Sequence, residues 1–257
     1  MANDKLITYS SDAGLITLTI NKPPYNVLDI AAMEELQKAL EAAAADHEAK
    51  ALLITGSSTK AFSAGVEVAD HTPDKVERMI HTFSGIFRRV DEMPIPTIAA
   101  LNGVALGGGG ELAISCDMVI AASHAKIGQP EIKLGVFPPV AAALLPKLIA
   151  RGKAYELVLG GESLSADEAL QCGLVTKVFP QENFAAETRA YVNRFLALSR
   201  TVLILTKKAL REAQGRPFLD GLARADRIYL QELMATEDAR EGLTSFLQKR
   251  KPVWKNR

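Results

Sequence analysis

Leu106-Gly107-Gly108-Gly109-Gly110-Glu111-Leu112 is the stretch on which the fold turns. Glycine loses more conformational freedom on folding than any other residue, so four in a row answer a local geometric need. They follow the apolar strand pattern Thr97–Leu101 and Asn102-Gly103, and they lead into a helical pattern that opens at Glu111. Amides at a helix start point outward and carry partial positive charge. Three readings fit the cluster: a tight turn that needs close packing, a receptor for a developing oxyanion, and a phosphate loop. The last lacks the lysine-serine pair of a nucleotide loop and the spacing of a dinucleotide fingerprint. Glu111 itself has two readings, a carboxylate that complements the helix dipole or an acid–base group.

Upstream lies a second such turn, Ser63-Ala64-Gly65-Val66, again after a strand and an aromatic residue, Phe62. One N–H from each turn, converging on one carbonyl oxygen, makes the arrangement an enolate needs as its charge develops. Downstream, Glu131 follows Gln129-Pro130, beyond an apolar strand at 118–121. The interval from Glu111 is long enough for one helix and a returning strand to bring the two carboxylates together. Such a pair can divide the work on a water and an alkene. One carboxylate activates the water, and the other holds a proton whose affinity burial and a like charge increase.

Outward from these turns the chain alternates. Residues 6–9 and Leu15–Ile20 read as a β pair about Asp12-Ala13-Gly14, stopped by Pro23-Pro24. Asp29 is placed to cap a helix with Met33, Leu36 and Leu40 on one face. A strand at 51–55, a helical pattern at 74–90 and the Pro94/Pro96 stop follow. This order predicts an α/β core with parallel strands joined by right-handed crossovers. Helical segments dominate after Ile149, so the expected organisation is a core at 1–195 and a helical region at 196–257, with no internal repeat in the sequence.

Charge narrows the function classes. Lys+Arg and Asp+Glu both number 30, a balance that argues against a nucleic-acid binder. Cys116 and Cys172 lie far apart, with no knuckle or disulfide spacing, and the four histidines form no metal pattern. No metal is expected. No run approaches the about 20 apolar residues that span a bilayer, and no secretory pattern opens the chain. The expectation is a cytoplasmic protein away from membranes.

The quoted turns, with Pro96-Thr97-Ile98-Ala99-Ala100-Leu101-Asn102-Gly103, Gly128-Gln129-Pro130-Glu131-Ile132-Lys133-Leu134-Gly135 and the ending Glu241-Gly242-Leu243 with Phe246-Leu247-Gln248-Lys249-Arg250, resemble the crotonase, or enoyl-CoA hydratase/isomerase, superfamily. The match runs in family order over nearly the whole chain. It implies an α/β, crotonase-like spiral of repeated ββα units with a helical C-terminal region. It also implies an acyl-CoA substrate, no cofactor beyond the coenzyme A of that substrate, and a homo-oligomer, a trimer or dimer of trimers. By the same resemblance the peptide N–H groups of Val66 and Gly108 form the oxyanion hole. Glu111 activates the water, and Glu131 donates the proton. Ala64, Lys249 and Arg250 are the implied coenzyme A contacts, although plain surface charge fits the two basic residues equally.

Two departures bear on the acyl group. Where hydratases often carry Ala-Asp-x-Lys after the first oxyanion glycine, this chain has Val66-Glu67-Val68-Ala69, without the basic side chain. After Gly135 the glycine-rich family pattern gives way to Val136-Phe137-Pro138-Pro139-Val140-Ala141-Ala142-Ala143, read here as a reshaped loop. With Pro24-Tyr25-Asn26-Val27-Leu28 and His71, these residues resemble the hydratases of cyclohexa-1,5-diene-1-carbonyl-CoA. That resemblance implies 6-hydroxycyclohex-1-ene-1-carbonyl-CoA as product; the alternative is a general hydratase of short linear enoyl-CoA. Tyr25, Val68, His71, Phe87, Phe137 and Pro138 are the candidate pocket residues. Core or wall packing fits Tyr25, Phe87 and Phe137 as well, and a surface or lid position fits His71.

Overall fold

A computed structural model describes residues 5–257. The described residues begin with β1 (Ile7–Asp12) and β2 (Leu15–Ile20), an antiparallel pair. Ala13 and Gly14 make its turn at φ of 49° and 85°. Helix α1 (Ile30–Ala45) begins where Asp29 accepts from the Ala32 amide at 2.8 Å, and it buries Met33, Leu36 and Leu40 as their spacing requires.

One motif then recurs three times. A long strand passes over a turn into a strand of three residues, and a helix returns. The units are β3 (Ala51–Gly56), β4 (Ala61–Ser63) and α2 (Val76–Glu92); then β5 (Thr97–Leu101), β6 (Val104–Leu106) and α3 (Gly108–Ser115); then β7 (Met118–Ala122), β8 (Lys126–Gly128) and α4 (Pro139–Leu148). The first strands pair in parallel with one another, and so do the second strands. The result is a spiral of ββα turns that builds two sheets at once. The repeat lies in the topology and leaves no trace as repeated sequence.

After α5 (Arg151–Gly160), β9 (Ser163–Ser165) closes the second sheet, in the order β4-β6-β8-β9. Past α6 (Ala166–Gln171), β10 (Lys177–Phe179) completes the first, in the order β1-β2-β3-β5-β7-β10. Helix α7 (Phe184–Leu196) lays Phe184, Tyr191 and Val192 on one face of the first sheet, against Leu15, Leu53, Ile98 and Ile120. Helices α1 and α2 cover the other face with Leu36, Met79, Phe83 and Ile86. Cover on both faces explains why β3, β5 and β7 read as continuous apolar runs rather than alternating ones.

Helices α8 (Arg200–Ala213), α9 (Phe218–Gln231) and α10 (Glu237–Leu247) follow. Buried Lys207 on α8 ties them to the core, donating to the Ile95 carbonyl at 3.0 Å and pairing with Asp117. Among the described residues no helix is long and apolar enough to cross a membrane.

The segment expected to be a loop at 136–144 is corrected by the structure. It becomes helical from Pro139 onward as α4. Proline suits the first helical position, where its missing N–H loses no helix bond.

Candidate active site

The two glycine turns abut. Residues 25–28 run alongside 64–67, with Ala64 N–H donating to Tyr25 O at 2.9 Å, Leu28 N–H to Gly65 O at 2.9 Å and Glu67 N–H to Leu28 O at 3.0 Å. This ladder leaves the Val66 N–H on the opposite side of the strand. Gly108 is the first residue of α3, so its N–H has no partner within the helix. Neither amide donates to a protein acceptor among the described residues. A Cβ built on Gly65 would lie 3.5 Å from the Gly108 nitrogen, which brings the two free donors into one neighbourhood.

Two glycines of the cluster answer specific contacts. Gly107 has φ of 51°, and a Cβ there would stand 2.6 Å from Oε1 of Glu131. At Gly108 it would meet Val66 Cγ2 at 2.7 Å and Phe83 Cζ at 2.9 Å. Side chains at these positions would push Glu131 aside and force the two turns apart. One geometry thus demands glycine for close packing and leaves the two free amides side by side.

Glu111 sits in the first turn of α3 and is 2% exposed. Its Oε1 accepts from Val140 N–H at 2.7 Å and from Ala141 N–H at 2.8 Å, while Oε2 accepts no hydrogen bond from the described residues. The donors are free amides of the α4 entrance, so the carboxylate of one helix caps another. Burial lifts Glu111 from the ordinary 4.5 to about 7; the charge of Glu131 adds to the rise, and the two amides oppose it.

Glu131 follows β8 in a single helical turn, Pro130–Leu134. Its Oε2 is buried with no hydrogen-bond partner among the described residues. Burial raises its proton affinity as well, against its own backbone amide and the nearby charge of His71. Both carboxyls have a raised proton affinity, and the charge of Glu131 acts on Glu111, so the two titrate as a pair.

The Glu111 environment has a measurable consequence. Between about pH 4.5 and 7 the folded chain holds a proton that the unfolded chain has lost. Stability therefore falls as pH rises through that window, and above it ionised Glu111 costs the fold on the order of 3 kcal/mol. Glu111→Gln keeps an oxygen for the two amides and removes the charge. Its melting temperature is expected to exceed that of the parent by several degrees at about pH 8, with the gap closing at about pH 5. Equal gaps at both pH values would contradict this.

The remaining candidates are placed unevenly. Ala64 and Tyr25 join the site through their backbone bond, and the Tyr25 side chain is 52% exposed. His71 hydrogen-bonds the Glu67 carbonyl through Nδ1 at 3.1 Å and acts on Glu131. Phe87 packs edge-on to Phe83, with ring centroids 4.6 Å apart, against the main core. Pro138 is buried at the α4 entrance, whereas Phe137 is 67% and Val68 60% exposed. Arg250 is held by Glu241 in a two-pronged ion pair at 2.6 and 2.8 Å. Lys249 is exposed at φ of 53°, and no hydrogen bond or ion pair among the described residues ties either basic residue to the glycine turns.

Sequence reading missed the Val140 and Ala141 amides and the Phe83 wall. A proline followed by an apolar run is a helix-start signal that would have found the first two. An apolar cavity of about 710 Å³ lies elsewhere, between the C-terminal helices and the first sheet, lined by Met118, Phe195, Leu203, Tyr229 and Trp254. It contains neither glutamate. Among the described residues no three His, Cys, Asp or Glu side chains group as a metal site requires.

Two sheets wound by ββα turns, with paired carboxyls beside two free amides, define a crotonase-fold enzyme. The chain belongs to the enoyl-CoA hydratase/isomerase family, whose model matches residues 10–257. It is similar to the cyclohexa-1,5-dienecarbonyl-CoA hydratase of Thauera aromatica, 35% identical over 96% of this chain and 95% of that one. A crotonyl-CoA hydratase of Syntrophomonas wolfei is 36% identical over 98% of each chain. Among solved structures, an enoyl-CoA hydratase from Bacillus anthracis superposes with a TM-score of 0.93 at 30% identity, covering 98% of this chain and all of the other, 100%. The chain is accordingly an enzyme of the hydro-lyase type that acts on the double bond of an acyl-CoA.

Proposed function

We propose that the enzyme hydrates short linear 2-enoyl thioesters of coenzyme A. The observation that carries this reading is the pair of buried carboxyls, Glu111 and Glu131, beside the unpartnered amides of Val66 and Gly108. The thioester carbonyl accepts from both amides. Glu111, fixed through Oε1, takes a proton from water on Oε2 as the water oxygen bonds to the β carbon. The π electrons move onto the carbonyl oxygen as an enolate, where the two amides stabilise them. Glu131 then delivers a proton to the α carbon as the carbonyl re-forms. Water is thereby added across the bond, and proton exchange between the coupled glutamates resets the site.

Identity of 35% to a cyclic-dienoyl hydratase and 36% to a crotonyl hydratase favours neither acyl group. Phe137 and Val68 are both largely exposed, and an acyl group with no ring to enclose asks least of them, which supports the linear substrate. A second reading, the cyclic diene with protonation at the far end of the conjugated system, draws on the replacement of flexible glycines by Pro138-Pro139-Val140. Turnover of crotonyl-CoA and of cyclohexa-1,5-diene-1-carbonyl-CoA separates the two. Crotonyl-CoA is expected to be preferred in kcat/KM by about tenfold or more; a preference of that size for the cyclic thioester overturns the linear reading.

A further inference from the structure

The first four N–H positions of a helix have no partner inside it. In α4 these are Pro138, Pro139, Val140 and Ala141, because the Ala142 amide already reaches the Pro138 carbonyl at 2.9 Å. Two of the four are prolines without an N–H. The other two both donate to Oε1 of Glu111. Every free donor at this helix entrance thus ends on one oxygen of one glutamate, and none remains for Glu131, a water or a substrate.

From this arrangement we propose that Pro139 is a positioning residue for the reaction. By withholding an amide at the first position of α4 it restricts Glu111 to two donors, keeps Oε2 a strong proton acceptor, and presents a donor-free wall at the helix entrance. The inference rests on the reading of Glu111 as the base. A third amide, aimed as its two neighbours are, would stabilise the ionised carboxylate further and weaken its pull on a water proton.

Few other charges act on Glu111. Strands β4, β5, β6 and β7 around α3 contain no charged residue. The buried face of α2 offers Met79, Thr82, Phe83 and Ile86. The one charged residue of α4, Lys147, lies in its last turn. Glu131 is the charged side chain acting on Glu111, and His71 acts in turn on Glu131. The donor count at the α4 entrance is therefore the variable that a substitution changes without disturbing other charges.

Pro139→Ala returns the missing amide at a position where alanine adopts helical geometry without strain. In ligand-free protein, carboxyl-carbon NMR of labelled glutamate is expected to show the Glu111 titration midpoint falling by about one pH unit. The acidic limb of kcat/KM for crotonyl-CoA is expected to fall with it, while KM changes by less than about twofold. Pro146→Ala is the matched comparison, since it returns an amide inside the same helix away from Glu111. It is expected to leave the midpoint in place. An unmoved midpoint in Pro139→Ala, or an equal shift in Pro146→Ala, overturns the proposal. Should the midpoint move as expected while no enoyl thioester is hydrated, the role of Pro139 stands and the proposed reaction falls.

Discussion

Glutamine at position 111 is expected to lower kcat for enoyl thioester hydration by roughly a thousandfold or more, with KM little changed. In Glu111→Gln the amide oxygen of the new side chain replaces Oε1 beneath the Val140 and Ala141 donors, so the side chain keeps its place. The other terminal atom becomes an NH2 group, which cannot take a proton from water. Glu131→Gln removes the proton donor and is expected to cost a similar factor. Because the two carboxyls act on one reaction, the double variant is expected to be little slower than the worse single variant. Steady-state kinetics on crotonyl-CoA checks all three. Retention of more than about a tenth of parental kcat in Glu111→Gln would remove that residue from the base role.

The second large effect comes from a backbone group. Val66→Pro deletes an N–H that no protein acceptor among the described residues uses, so none of the bonds joining residues 25–28 to 64–67 loses its donor. If that amide stabilises the enolate, its loss is expected to reduce kcat by roughly a hundredfold to a thousandfold. Val66→Ala trims the side chain and keeps the amide, and it is expected to stay within about threefold of the parent. Equal damage from both substitutions would mean that Val66 matters through its contact with the Gly108 backbone rather than through its N–H.

Much of the first sheet was legible because helices cover both of its faces. Strands β3, β5 and β7 are apolar along nearly their whole length, with Thr55 and Thr97 the exceptions, and they stand out as runs without alternation. The second sheet was not legible as a sheet. Strands β4, β6, β8 and β9 have three residues each, too few to show a period, and they are held by neighbours distant in sequence. Helix α4 was hidden by its prolines. Pro138-Pro139 reads as a breaker, and Pro146 interrupts the pattern that would have marked the helix. Here position decides, because the same ring that breaks a helix interior suits its first turn.

The site divides along similar lines. Glu111 and Glu131 drew notice as a pair beside the glycine turns, because a carboxylate at a helix start is ordinary by itself. The groups that hold Glu111 are peptide amides of a valine and an alanine, and no side-chain chemistry announces them. Arg250 pairs with Glu241, a partner nine residues back that comes within reach only once α10 has formed. The raised proton affinity of Glu111 likewise depends on burial that arises only when α3 packs against α2, α4 and the strands around it.

Water labelled with heavy oxygen tests the central claim most directly. The protein is incubated with crotonyl-CoA in that solvent, and the acyl product is weighed by mass spectrometry. One labelled oxygen in a 3-hydroxyacyl thioester, formed by the parent and not by Glu111→Gln, is the expected result. Unlabelled product, or label incorporated equally by the variant, would contradict water addition by this pair of glutamates.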